Sequence, residues 1–307
     1  MQGTVATSIT FEGVGLHSGR PARMVVVPAG ADRGIWFRRT DIADPAAAFV
    51  AASWTNAVPS PLCTRLRNEA GTEVSTVEHV LAALAGCGVG NAVIEVDGPE
   101  VPILDGSAQP FVAAILEAGV IELDAPARAI EILAPVEVRR GEAVARLEPA
   151  ETLRMDFSIE FEDAAIGTQS KSLDLANGAF VRELCDSRTF CRRSDVDTMR
   201  EAGLALGGTL DNTVVVDGAA VLSPGGLRHA DEAVRHKMLD ALGDLSLAGA
   251  PIIGRYVGHR AGHALTGALL EALFAAPDAW RVVTCDEARA DRLPGAHLCL
   301  ADLRPAV

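Results

Sequence analysis

TVEHVLAALAG, residues 76–86, and AVRHKMLDALG, residues 233–243, decide how this chain is read. Aligned without gaps, they match at Val77/Val234, His79/His236 and Gly86/Gly243. Three identities in eleven positions make a weak echo when taken alone. Each segment nevertheless reads as a helix, the first from Ser75 to Gly86, followed by an apolar strand. The strand is NAVIEV (91–96) in the first half and IIGRYV (252–257) in the second. Two such units in a chain of 307 residues point to a duplicated, two-domain arrangement.

Outward from these units, 24–27 and 34–37 are short apolar runs bounded by turn residues and read as strands. A helix is expected over 111–119, then a short linker, LDAPAR (123–128). Strands are expected at 129–138, 143–147 and 153–161, and helices near 177–185, 194–202 and 231–248. A helix over 263–275 and a strand at 280–284 complete the reading. Strands followed by helices in each half predict an α+β fold. The predicted domains are 1–124 and 129–307, each a sheet covered by helices.

Composition narrows the function. Apolar residues make up 49% of the chain, which excludes a disordered protein. Lys and Arg total 27 against 41 Asp and Glu, a net charge of −14, which argues against nucleic-acid binding. Aromatics at 4% are too few for a base-stacking surface. The cysteines at 63, 87, 185, 191, 285 and 299 show no CxxC spacing, so reduced thiols are expected, without a thiolate zinc site. MQGTVATSITFEG has neither a basic nor an apolar signal region, and no run of 18 apolar residues occurs. A cytoplasmic protein with no transmembrane segment and no evident obligate protein partner is expected.

The most informative chemistry lies in RHKMLDALGDL (235–245). On a helix, His236, Lys237, Asp240 and Asp244 fall within roughly 100° of arc, opposite Met238, Leu239, Leu242 and Leu245. His236 and Asp240, at i and i+4, can share one metal ion. The same stripe also reads as a solvated polar face, and the metal reading needs a third ligand. STVEH (75–79) supplies a candidate in His79, with Glu78 beside it as a base. Ser75 and Glu78 also have the spacing of a capping box, which would explain Glu78 without catalysis. HExxH is absent.

GHRAGHAL (258–265) sets His263 at a strand-to-helix junction, where it can face a cleft and protonate a leaving amine, or serve only as a loop residue. Thr189 in SRTF (187–190) offers a hydroxyl to an oxyanion, and Phe190 a stacking surface. GVGLHSG (13–19) is half of a dinucleotide fingerprint, but an extended MVVV run follows it instead of a helix, so it is not a cofactor loop. No GxSxG hydrolase motif is present.

Together these segments resemble one family, the zinc-dependent UDP-3-O-acyl-N-acetylglucosamine deacetylases of lipid A biosynthesis. GVGLHSG (13–19), FRRTD (37–41), STVEHVLAALAG (75–86), EVPILDGSAQPF (100–111), SRTF (187–190), VRHKMLDALGDL (234–245) and GHAL (262–265) carry the resemblance, in order. It implies two related α+β domains with the active site between them. It also implies one zinc ion per chain on His79, His236 and Asp240, a set that would accept Fe(II) as well. Glu78 becomes the general base, His263 the catalytic histidine with Asp244 as its carboxylate partner, and Thr189 an oxyanion donor. Lys237, Phe190, Glu160, Phe161, Leu62 and Cys63 fall on substrate-contacting positions, and an acyl-binding insertion is expected near 190–214. The implied reaction removes acetate from the 2-acetamido group of an acylated nucleotide sugar. Cys191, where glycine is expected, and Pro61 depart from the family pattern. The competing functions are a zinc amidohydrolase for another N-acyl substrate and a non-catalytic acyl-ligand binding protein.

Overall fold

In the computed structural model, which describes residues 1–60 and 62–303, five strands form the first sheet. They are β1 (Ile9–Val14), β2 (Pro21–Pro28), β3 (Ile35–Arg39), β4 (Phe49–Ala51) and β5 (Ala92–Val96), in spatial order β1-β2-β5-β3-β4. Met24 and Val26 on β2 and Ala92, Ile94 and Val96 on β5 are buried at every second position. One face of the sheet therefore belongs to the core.

The second sheet is built around β6 (Val136–Arg140), β7 (Ala143–Glu148), β8 (Leu153–Glu160), β9 (Thr168–Asp174) and β10 (Ile252–His259). Their pairings give the order β6-β7-β10-β8-β9. It repeats the first sheet strand for strand. β5 runs antiparallel to β2 and parallel to β3, as β10 runs antiparallel to β7 and parallel to β8. The strands Arg128–Ile132 and Trp280–Thr284 extend the second sheet beside β10. The weak echo in sequence thus corresponds to a full repeat of topology, and the α+β class follows.

Helix α1 (Glu78–Gly86) precedes β5, and α2 (Gln109–Ala118) follows it. Helix α3 (Glu232–Ser246) precedes β10, and α4 (His263–Phe274) follows it. One apolar cluster joins both sheets through Val80, Leu81 and Leu84 of α1 and Met238, Leu239 and Leu242 of α3. α1 packs along α3 so closely that a Cβ on Gly243 would lie 2.1 Å from the Glu78 carbonyl oxygen. Only glycine admits that approach.

The predicted insertion is a small β-α-β unit. Phe190–Arg192 pairs in parallel with Val214–Asp217, and the helix Arg193–Glu201 lies between them in sequence. Among the described residues no helix is long and apolar enough to cross a membrane. All six cysteines are free thiols, with Cys63, Cys87 and Cys185 buried. Pro61 lies outside the described residues.

Candidate active site

α1 starts abruptly. Ser75 closes the strand Glu73–Ser75, Thr76 turns the chain with φ 59°, and the helix begins at Glu78 with Val77 as an N-cap that makes no side-chain bond. The anticipated capping box is therefore absent, because Ser75 still belongs to a strand when the turn begins. Glu78 Oε2 instead accepts the Thr64 N–H at 3.0 Å. Glu78 is 3% exposed, and burial pushes its carboxyl above the usual glutamate range.

The polar stripe of α3 is not a solvated face. His236, Asp240 and Asp244 are 2%, 5% and 3% exposed, packed beneath α1 together with Ser187, Phe190, Thr64 and His263. The His79 and His236 rings meet edge to face at 5.0 Å. His79 Nε2 lies 3.6 Å and His236 Nε2 3.3 Å from Asp240 Oδ1, and ligand atoms of all three lie within 4.8 Å of one another. Bonds of about 2.0–2.1 Å to a tetrahedral ion separate its ligands by about 3.3 Å, so the spacing fits one small divalent cation.

The donor chemistry fits as well. Asp240 Oδ1 is buried without a hydrogen-bond partner among the described residues, while Oδ2 accepts from the Lys237 ammonium at 2.7 Å. Burial opposes the charge on Asp240, yet His236, Lys237 and His263 together hold it well below the usual carboxylate range. His236 Nδ1 faces the Ser187 carbonyl oxygen at 3.0 Å, which places the hydrogen on Nδ1 and leaves the Nε2 lone pair toward Asp240. Burial lowers the His236 pKa to about 4, so the ring is a neutral ligand near pH 7.

His263 is the first residue of α4, where the chain leaves β10 through Gly262. Its Nδ1 contacts Asp244 Oδ2 at 2.9 Å, and its Nε2 lies 3.8 Å from both Glu78 Oε1 and Asp240 Oδ2. Burial alone would lower its pKa, but the facing charges of Asp244, Asp240 and Glu78 raise it to about 9. Glu78, its carboxyl raised by burial, and His263, its cationic form favoured by the facing carboxylates, thus stand on either side of one centre.

Glu78, His79, His236, Asp240 and His263 line a cavity of about 380 Å³, with Asp244 behind His263. Thr189, Phe190, Lys237 and Leu62 line it too. Phe161 stands behind Phe190, ring edge to ring face at 5.4 Å. Glu160 and Cys63 are not on the cavity wall. Glu160 points toward Arg260 at 3.8 Å, and Cys63 is buried beside Ser60. Lys237 is already paired to Asp240, so it is not a free cation for a phosphate.

Several site residues escaped the sequence reading. Arg140 and Arg260 are exposed cations on the cavity wall, and Arg140 forms no ion pair among the described residues. Thr64 touches Glu78, Asp244 and His263. Glu232 receives Arg188 Nε at 2.9 Å and the Arg228 N–H at 2.7 Å, anchoring the start of α3 beside Thr189. Isolated Arg and Thr residues carry no periodic or motif signal, so nothing in the sequence separates these from surface residues.

The family model for UDP-3-O-acyl N-acetylglycosamine deacetylase (LpxC) matches residues 2–275. A protein of Phenylobacterium zucineum is 51% identical over 93% of this chain and 97% of its own length. Proteins of Idiomarina loihiensis and Pasteurella multocida are 46% and 45% identical, each over 94% of this chain and over 94% and 95% of their own lengths. All three carry the name UDP-3-O-acyl-N-acetylglucosamine deacetylase.

Proposed function

Since this chain belongs to the UDP-3-O-acyl N-acetylglycosamine deacetylase family and is an enzyme, we propose that it hydrolyses the 2-acetamido group of UDP-3-O-acyl-N-acetylglucosamine with zinc as cofactor. The products are acetate and UDP-3-O-acyl-glucosamine, in the committed step of lipid A biosynthesis, and the enzyme acts in the cytoplasm. The observation that carries this reading is the convergence of His79, His236 and the unpartnered Asp240 Oδ1, with Glu78 and His263 on either side. Residues 1–124 and 129–307 are proposed as its two related domains.

Bound at His79, His236 and Asp240, zinc would supply the Lewis acidity that polarises an amide carbonyl and makes water nucleophilic. Ferrous iron suits the same donors. Glu78, fixed through Oε2 by the Thr64 N–H, keeps Oε1 toward the centre and takes the proton of the attacking water. Thr189 on the cavity wall donates its hydroxyl hydrogen to the developing oxyanion. His263, cationic and oriented by Asp244, delivers the Nε2 proton to the departing sugar nitrogen. Lys237 balances the charge of Asp240 at the edge of the substrate space.

Substrate recognition follows the cavity walls. Arg140, without an ion pair among the described residues, offers a cation to the diphosphate, whereas Arg260 is paired to Glu142 at 2.6 Å and Lys237 to Asp240. Phe190, backed by Phe161, offers an apolar surface, and Leu62 forms part of the rim. Leu206 and Leu210 of LALGGTL (204–210), 53% and 44% exposed, offer apolar surface to the acyl chain.

The test is acetate release from the acylated nucleotide sugar, with metal content measured by elemental analysis. Metal-dependent release is expected, with a much lower kcat/KM for the deacylated sugar, because remote binding energy is lost. Bound metal without release would favour a binding protein. Release only from unrelated amides would favour another amidohydrolase.

A further inference from the structure

Thr64 is a shared neighbour of the proposed base and the proposed acid. It is 7% exposed and sits just before the strand Arg65–Arg67. Its backbone is tied to the start of α1 in both directions: its N–H donates to Glu78 Oε2 at 3.0 Å, and its carbonyl oxygen accepts the Val77 N–H at 3.4 Å. Its side chain turns the other way, toward α3 and α4. The hydroxyl donates to Asp244 Oδ1, and its oxygen lies 3.1 Å from His263 Nδ1.

A hydroxyl has one hydrogen to give and two lone pairs to offer. Ionised Asp244 only accepts, so the Thr64 hydrogen goes to Oδ1 and a Thr64 lone pair faces His263 Nδ1. The Nδ1–H of His263 then has two acceptors, Asp244 Oδ2 at 2.9 Å and Thr64 Oγ at 3.1 Å. Nδ1 is thereby held as the permanent donor. Nε2 is left to face Glu78 Oε1 and Asp240 Oδ2 as the nitrogen that exchanges its proton.

We propose that Thr64 is a positioning residue of the reaction, joining Glu78 through its backbone to the Asp244–His263 pair through its hydroxyl, so that both proton-transferring atoms keep a fixed separation across the centre. The proposal rests on the deacetylase reading for its kinetic consequence and on geometry alone for its bonding.

Thr64→Val replaces the hydroxyl with a methyl of similar size and keeps the N–H to Glu78, whereas Thr64→Ser keeps both groups. With the acylated nucleotide sugar, Thr64→Val should lower kcat about 10- to 100-fold while KM moves less than about three-fold. Thr64→Ser should recover most of that loss, with metal content equal in both. Proton NMR supplies a readout that needs no substrate: the His263 Nδ1–H resonance should broaden through solvent exchange in Thr64→Val and sharpen again in Thr64→Ser. A wild-type kcat in Thr64→Val, equal losses in both variants, or an unchanged Nδ1–H resonance overturns the proposal. A wild-type protein that releases no acetate sinks the deacetylase reading instead, and the resonance still decides the role of Thr64.

Discussion

The two helices that meet at the centre, α1 and α3, occupy matching places in matching sheets and are used differently. α1 has nine residues and puts both of its functional groups, Glu78 and His79, in the first turn, where the sharp bend at Thr76 aims them out of the core. The rest of α1 is nearly all buried and apolar. α3 has fifteen residues and spaces His236, Asp240 and Asp244 one turn apart along one face. The contrast shows two ways to bring buried polar groups to one point. A helix start does it by direction and needs a bend, while a helix face does it by period and needs a partner that covers it.

Removing a ligand from the α3 face should produce the largest effect. His236→Ala and Asp240→Ala should each strip the metal on dialysis and reduce acetate release to background. Glu78→Gln should instead keep the metal, measured by elemental analysis, while kcat falls by about 10²- to 10⁴-fold. Full metal occupancy in the α3 variants, or a fully active Glu78→Gln protein, would break the division of labour between the helices.

The pH dependence sharpens the same contrast. The proposed reaction needs Glu78 unprotonated, and its carboxyl is raised by burial, so the acidic limb should lie above the ordinary glutamate value. It also needs His263 protonated, so the basic limb should lie near 9 and not near 6.5. Asp244→Asn removes the leading favourable charge and should move that limb down. Stability follows the same sign. The folded pKa of His263 is above its unfolded value, so its contribution is complete below pH 6.5 and disappears as pH rises through about 9. Denaturant titrations across that window should show a smaller loss in His263→Ala than in the unaltered protein.

The two matched glycines give the smallest and most pointed comparison. Gly243→Ala drives a methyl against the Glu78 backbone at 2.1 Å, whereas Gly86→Ala meets the Phe180 ring at 2.0 Å, far from the centre. Both should cost about 1–3 kcal/mol by overpacking. Only Gly243→Ala should also lower the kcat of the folded enzyme, because the atoms it displaces carry the base. Equal kcat in the two variants, after correction for folded fraction by circular dichroism, would mean that the α1–α3 contact does not set the position of Glu78.

Much of the fold was legible because its signals are local. Apolar runs along 91–96 and 252–257, helical spacing over most of 76–86 and 231–248, and the glycine that ends α1 at Gly86 follow from backbone geometry within a few residues, whereas Gly243 lies inside α3, which runs to Ser246. That His236 and Asp240 share a face was legible for the same reason, since i and i+4 lie together on any helix. The capping box at Ser75 and Glu78 was a local signal that failed. Three residues of spacing do not reveal that the first belongs to a strand and that Thr76 bends the chain between them.

By itself, then, the sequence determined most of the longer helices and several strands, though not Thr168–Asp174 or Val214–Asp217, which side chains share a helix face, and through its ordered motifs which family the chain joins. Tertiary structure alone decided that the polar face of α3 is buried, that Lys237 is paired to Asp240, that Glu160 and Cys63 stand off the cavity wall, and that Thr64 belongs to the site. The physical reason is separation along the chain. Thr64 meets Asp244 and His263 across 180 and 199 residues, and such contacts depend on how two sheets close on two helices, for which no short stretch of sequence carries a period or a spacing.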